Sequence, residues 1–264
     1  MIIDAHAHIG SWPSLRASEQ AILESNKRYG VSFSLVSDCD CSEFPSLHKY
    51  PVHQVNQLFG LKKTLQFVKS DHKHLGAAFW VNPHNEIVTP EVRELIKENR
   101  RYIYALKVHP FESHLRMTSP KMKPYLELAR EFSLPIVVHT AKDRYSDVRF
   151  LALVARANPD LVFVAAHLQL CSDNLSAIAE MKVTPNLYAD TAWVEMRKTK
   201  KVLTEIGENR MMFGTDNPID GVDTLNNPMY QAYFHNKVKL PGHLYSNLMY
   251  RNAALLFKLP VPTK

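Results

Sequence analysis

Short apolar runs alternate with longer amphipathic segments eight times along this chain. The runs fall at 2–8, 31–37, 75–81, 102–109, 134–139, 161–167, 186–191 and 210–215. Their starts lie about 24 to 44 residues apart, the length of a strand plus a crossover helix. The intervening segments carry helix signals. Ser18 to Tyr29 stops at Gly30, a residue suited to a helix C-terminus. The segment from Val52 to Lys69 places Val55, Leu58, Phe59, Leu61, Leu65 and Val68 along one stripe. Pro90 suits the first turn of a helix over 91–99, where a missing N–H costs nothing. Residues 120–132, 145–157, 173–182 and 196–206 complete the alternation. Eight such units in 264 residues predict a single-domain (β/α)₈ TIM barrel spanning 1–264. The competing architecture is a doubly wound open sheet. It loses weight because no Gly-x-Gly-x-x-Gly follows any strand. Two long connections, 38–51 and 216–228, would lie on the C-terminal face of a barrel, and 259–264 reads as a loose tail.

Composition excludes several classes. With 45% hydrophobic and 22% charged residues the chain is not disordered. The densest apolar run, Leu161 to Ala166, is closed by His167, far short of a membrane span. The net charge of +6 suits anionic small molecules and is too diffuse for a nucleic-acid stripe. Three cysteines, Cys39, Cys41 and Cys171, make no disulfide framework, and Met1 runs straight into the first strand. The expectation is a reduced, cytoplasmic protein acting on a small molecule, with no membrane or nucleic-acid partner. A homo-oligomer is compatible with all of this.

Thirteen histidines are spread along the chain. His48, His53, His72, His74, His84, His114, His235 and His243 sit among polar neighbours and read as ordinary surface residues. The informative ones end strands: His6 and His8 on strand 1, His109 on strand 4, His139 on strand 5 and His167 on strand 6. Asp216 follows strand 8. Residues two apart share a face of a strand, so Asp4, His6 and His8 point one way, as do Ala105, Lys107 and His109. A single strand-end histidine is usually a hydrogen-bonded core residue, and His-x-His alone is weak. Several imidazoles, a lysine and a carboxylate converging on one barrel mouth are different. Crowded polar groups need partners, and a divalent metal is the simplest one.

The motifs Asp4-Ala5-His6-Ala7-His8, Lys107-Val108-His109-Pro110, Val138-His139-Thr140, Ala166-His167-Leu168 and Phe213-Gly214-Thr215-Asp216-Asn217-Pro218, in this order, resemble the amidohydrolase superfamily. The Lys-x-His-Pro and Gly-Thr-Asp-x-Pro elements are similar to its amidohydrolase-related (type 2) branch, which includes lactone hydrolases and non-oxidative decarboxylases of small carboxylic acids. The resemblance implies that His6, His8, His139 and Asp216 ligate one divalent metal, zinc first among candidates. It further implies that Asp216 shuttles a proton and that His167 positions or polarises the attacked group. Lys107 matches a lysine that is carbamylated in binuclear members. In the usually mononuclear branch it would instead be an electrostatic group for an anionic substrate.

Such a metal lowers the pKa of a bound water from near 16 to about 7. Asp216 could then act as general base and acid, with His167 steadying the developing charge. Lys107, His109, Arg144 and Trp12 are the expected substrate-binding groups, Arg144 by a bidentate grip on a carboxylate and Trp12 as a wall. Each has a plainer reading: a solvated loop arginine and a tryptophan packed on the rim. Trp80, Asn82, Lys142, Tyr145, Asp190 and Trp193 end strands or begin loops at the same face. Cys39 and Cys41 have the wrong spacing for a zinc knuckle, and Asp4 is better suited to orienting a ligand or satisfying backbone than to binding metal.

The leading expectation is a metal-dependent hydrolase of a small, anionic ester, lactone or amide. A decarboxylase on the same site is the first alternative. A TatD-type deoxyribonuclease is the second, and Lys107 stands where those nucleases carry glutamate. A barrel that has lost activity would need none of the strand-end histidines.

Overall fold

The computed structural model describes residues 1–11, 18–44, 55–220 and 223–260. Eight parallel strands follow one another around a single sheet in chain order. They are β1 (Ile3–Ile9), β2 (Phe33–Asp38), β3 (Leu75–Trp80), β4 (Ile103–Val108), β5 (Ile136–Ala141), β6 (Phe163–Leu170), β7 (Leu187–Asp190) and β8 (Met211–Met212). The ring closes where β1 meets the residues after β8. Ala5 N–H donates to Phe213 O at 2.9 Å, Asp216 N–H to His6 O at 2.7 Å, and His8 N–H to Asn217 O at 2.8 Å. This is the TIM barrel expected from the alternation. The last predicted strand is shorter than expected, because residues 213–217 leave β7 and bond to β1 instead.

Helices α1 (Ser18–Tyr29), α2 (Gln57–Ser70), α3 (Pro90–Glu98), α4 (Lys123–Glu131), α5 (Val148–Ala157), α6 (Leu175–Val183) and α7 (Met196–Glu205) fill the connections. Their starts follow local capping. Asn56 is extended and its side chain accepts from Phe59 N–H, so α2 begins at Gln57 rather than Val52; residues 52–54 lie outside the described residues. Thr89 caps α3, with Pro90 in the first turn. Asp143 Oδ1 accepts from Tyr145 and Ser146 N–H, holding a turn, and Asp147 then caps α5, so that helix starts three residues later than predicted.

Three further helices, which the strand–helix alternation does not predict, follow β8: α8 (Pro228–Phe234), α9 (Gly242–Ser246) and α10 (Asn252–Phe257). Ala253, Ala254, Phe257 and Leu259 pack with Ile3, Phe33, Val137, Val164 and Met212 into an inner cluster at the N-terminal ends of the strands. The floor of the barrel is thus sealed by the C-terminal helix. Leu259, expected in a loose tail, is buried there. A larger outer cluster joins the other faces of the strands to the helices. Burial of both shells is the main stabilising term for the fold. No helix among the described residues is long and apolar enough to cross a membrane.

Two irregularities set the geometry of the mouth. In β1, Asp4 pairs with Ser34 but Ala7 pairs with Val36, so one extra residue bulges between them. In β6, Ala166 pairs with His139 but Leu170 pairs with Ala141, so residues 167–169 loop out. His167, Leu168 and Gln169 all take positive φ (67°, 46° and 69°). Thr140 spans the gap: its hydroxyl donates to Ala166 O at 2.6 Å and accepts from Gln169 N–H at 2.9 Å.

Candidate metal centre and active site

At the C-terminal end of the barrel the strand-end side chains meet. His6 Nε2 and His8 Nε2 lie 3.0 Å apart. Asp216 Oδ1 is 2.9 Å from His8 Nε2 and 3.3 Å from His6 Nε2. These three residues form the compact donor group among the described residues. The second nitrogen of each imidazole is held from behind. His6 Nδ1 faces Asp190 Oδ2 at 2.8 Å, and His8 Nδ1 faces Ser37 Oγ at 2.9 Å. An ionised Asp190 only accepts, so His6 carries its proton on Nδ1 and turns the lone pair of Nε2 toward His8 and Asp216.

That arrangement fits a divalent ion. Donors about 2.1 Å from a metal, separated by 90–109°, lie about 3.0–3.4 Å from one another. The three observed separations are close to that range. A buried lone pair facing a second imidazole and a carboxylate calls for a cation, and the Lys107 Nζ, 2.7 Å from His6 Nε2, meets only part of that need. A carboxylate behind a ligating histidine is also the usual outer support of such a site.

Burial acts on every group here. It drives His6 and His8 down toward the neutral form, with Lys107 adding to the effect on both. It drives His167 down to about 4, against the pull of Asp216. Burial also works against ionisation of Asp216, yet His167 and the hydrogen bond with His8 hold that carboxyl well below the usual carboxylate range. The centre therefore pairs neutral imidazoles with an ionised aspartate at neutral pH.

Lys107 is buried, and its Nζ lies 2.7 Å from His6 Nε2. Burial lowers its pKa, opposed by Asp216 and Asp190. His167 is fixed by its backbone N–H on Asp190 Oδ1 (2.9 Å) and by Nδ1 at 3.2 Å from Ala192 O. The carbonyl only accepts, so the proton sits on Nδ1 and Nε2 is left as an acceptor. His139 lines the same cavity but does not join the compact group. Its ring stacks on His109 at 3.8 Å between centroids and meets His167 edge-on at 4.7 Å. His109 in turn stacks on Trp80 at 5.3 Å. Glu112 N–H donates to His109 Nδ1 at 3.2 Å, which leaves His109 Nε2 as a donor.

A cavity of about 470 Å³ opens over these groups. Cys39, Trp80, Phe111, Leu170 and Ile219 make its apolar walls, and Lys142, Asp143 and Glu112 its polar edge. The size suits a small molecule. A second cavity of about 480 Å³ has Glu43, Glu86 and Glu91 in its lining and shares no lining residue with the first. Two of these carboxylates are engaged by backbone: Glu43 takes His84 and Asn85 N–H, and Glu86 takes Gln57 N–H. No histidine lines it, so the chemistry belongs to the first cavity.

Some expectations change. Arg144 is exposed, stacks over Tyr145 at 4.6 Å and is not among the cavity-lining residues, because the Asp143 turn carries it outward; Lys142 lines the cavity instead. Trp12 lies outside the described residues. Asp4 does not face the histidine pair. Its Oδ1 accepts from His6 and Thr215 N–H and its Oδ2 from Thr215 Oγ at 2.5 Å, tying β1 to the end of the barrel. Sequence analysis places Asp190 and Trp193 at this face without assigning them as the supports of His6 and Asp216, and it misses Ser37 behind His8. Register alone could have found Ser37, the β2 partner of His8. Asp190 ends β7, but nothing in the sequence says which histidine it faces.

The family model described as Amidohydrolase matches residues 3–259. No curated protein matches the sequence. Among solved structures, the chain is similar to a probable 2-pyrone-4,6-dicarboxylic acid hydrolase from Acinetobacter baumannii with citric acid bound. The two are 13% identical, the match covers 97% of this chain and 99% of that one, and the TM-score is 0.67. It is also similar to 5-carboxyvanillate decarboxylase from Sphingomonas paucimobilis (13% identical, 98% and 99% covered, TM-score 0.68). A third is the 5-carboxyvanillate decarboxylase from Novosphingobium aromaticivorans complexed with manganese (10% identical, 98% and 96% covered, TM-score 0.70). At these identities the likeness shows a shared fold.

Proposed function

Because the chain belongs to the amidohydrolase family, and its strand-end donors meet at one point, we propose that it is a metal-dependent hydrolase of a small anionic ester, lactone or amide. His6, His8 and Asp216 would hold the ion, and His139, which lines the same cavity, is the further proposed ligand. One divalent ion per chain is proposed, with zinc first and manganese second, the latter carried by the Novosphingobium decarboxylase. When bound, such an ion supplies Lewis acidity and makes a water acidic enough to attack at neutral pH.

The observation that carries the reading is the state of Asp216. It is buried, reaches the histidine pair with one oxygen, and is held well below the usual carboxylate range by His167 and by the hydrogen bond with His8. A carboxylate so placed can take a proton from water and later release it to a leaving oxygen or nitrogen. His167 offers an unprotonated Nε2 beside the histidine pair, and its ring lies 5.0 Å from that of His6. It can accept a hydrogen bond from the attacking water and orient it. Lys107 and Lys142 supply positive charge for a substrate carboxylate, and His109 supplies a fixed N–H donor. The apolar walls exclude competing water. Three free thiols, one of them exposed, support a reducing, cytoplasmic setting.

The test is a panel of small carboxylated lactones, esters and amides incubated with the metal-loaded protein. Acid release is followed by pH-stat and carbon dioxide release in parallel. Acid release that His6→Ala and Asp216→Asn each abolish supports the hydrolase. Carbon dioxide release from the acids, with no acid formed from the esters, replaces it with the decarboxylase.

A further inference from the structure

Asp216 has two oxygens, and the structure treats them differently. Oδ1 faces His8 and His6. Oδ2 accepts from the indole Nε1–H of Trp193 at 2.9 Å. Trp193 is itself clamped. Its backbone N–H donates to Tyr230 Oη at 3.0 Å, and that hydroxyl donates to Thr215 O at 2.5 Å, next to Asp216. The indole meets the Tyr230 ring at 5.7 Å and 65°. Trp193 and Asp216 both take left-handed backbone (φ 58° and 65°), a conformation that persists in non-glycine residues only where the surroundings enforce it. Trp193 is not among the residues lining the cavity, so it meets the carboxylate from behind and forms no part of the substrate wall.

The terminal torsion of an aspartate is broad, so a carboxylate held at one oxygen rotates freely. An indole N–H is a donor only and cannot exchange roles with the oxygen it holds. We propose that Trp193 is a positioning residue whose indole N–H pins Oδ2 of Asp216 and thereby presents Oδ1 to His6 and His8. The proposal rests on the reading of Asp216 as a ligand. It adds a residue to the site that acts only through Asp216.

The experiment measures Mn²⁺ affinity of the full chain by electron paramagnetic resonance of the free ion. It compares the native chain, Trp193→Phe, Asp216→Ala and the double variant. Loss of an outer support of this kind lowers metal affinity about 10- to 100-fold, and a loss of that size is expected for Trp193→Phe. In the Asp216→Ala background the same change is expected to do nothing further. Native affinity in Trp193→Phe, or an undiminished loss in the Asp216→Ala background, overturns the positioning role while leaving Asp216 a ligand. Native affinity in Asp216→Ala overturns the reading of Asp216 and the inference with it. If Trp193→Phe does not fold, the indole N–H resonances of the ¹⁵N-labelled native chain and of Asp216→Ala decide the matter. One resonance is expected to move upfield in Asp216→Ala and to shift in the native chain when Zn²⁺ is added. No movement in either sample overturns the inference.

Discussion

Asp190 Oδ2 stands 2.8 Å from His6 Nδ1, while its other oxygen accepts from the backbone N–H groups of His167 and Ala192. One carboxylate therefore sets the tautomer of a ligand-competent histidine and anchors the loop that carries a second one. Burial opposes its ionisation, but His6 and His167 overcome this and lower its pKa. Asp190→Asn turns an amide N–H toward His6 and moves the imidazole proton to Nε2, removing the lone pair the ion needs. Metal affinity is expected to fall about 10- to 100-fold with the fold intact. Chelator-competition titration alongside far-UV circular dichroism checks both halves, and native affinity in Asp190→Asn would falsify the assignment.

Metal should stabilise the fold, since the unfolded chain has no preformed group of this kind. At free ion about 100 times the dissociation constant the gain is about 2.7 kcal/mol. At about 2–4 °C per kcal/mol for a chain of this size, that is roughly 5–10 °C in melting temperature. Scanning calorimetry with and without Zn²⁺ reads the shift. His6→Ala and Asp216→Ala are each expected to lose most of it.

Asp38, at the end of β2, gives a pH signature apart from the histidine cluster. Burial raises its pKa to about 6, and Lys63, whose Nζ lies 3.4 Å from Oδ2, only partly opposes this. A carboxyl whose folded pKa lies above the unfolded value of about 3.9 binds its proton more tightly when folded. It therefore costs stability above pH 6, and the cost disappears as pH falls from 6 toward 4. A shift of about two units sets an upper bound of about 3 kcal/mol. Asp38→Asn keeps the acceptor for Asp40 N–H, at 3.0 Å in the native chain, and removes the charge. Urea melts are expected to show Asp38→Asn the more stable at pH 8, with the difference closing by pH 4. A constant difference across that range would contradict the reading.

Gly76 in β3 is required by packing. A Cβ there would fall 2.6 Å from Tyr104 Cδ2 and 2.9 Å from Leu35 Cδ2. Both neighbours lie against the barrel wall, so the clash must be relieved by moving packed side chains. Overpacking of this sort costs about 1–3 kcal/mol. Gly76→Ala should lower the unfolding free energy read from urea melts by that amount, with metal affinity unchanged.

The number of strand–helix units, their order and the side chains ending each strand were legible in the sequence, because the two-residue period of a strand and the spacing of helical stripes are local properties. His6, His8 and Asp216 could be named from such signals, since residues that end parallel strands of a closed ring must share its mouth. Only the tertiary structure decided what stands behind them. The Asp190–His6 and Trp193–Asp216 contacts join residues 184 and 23 positions apart, the second between two left-handed residues that have no local signature in the sequence. The same holds for Asp4, turned to Thr215 beside the β1 bulge; for Arg144, carried outward by the Asp143 turn; and for His139, stacked on His109 outside the compact donor group. Periodicity says which face a residue lies on; depth, rotamer and partner come from the packing of distant segments.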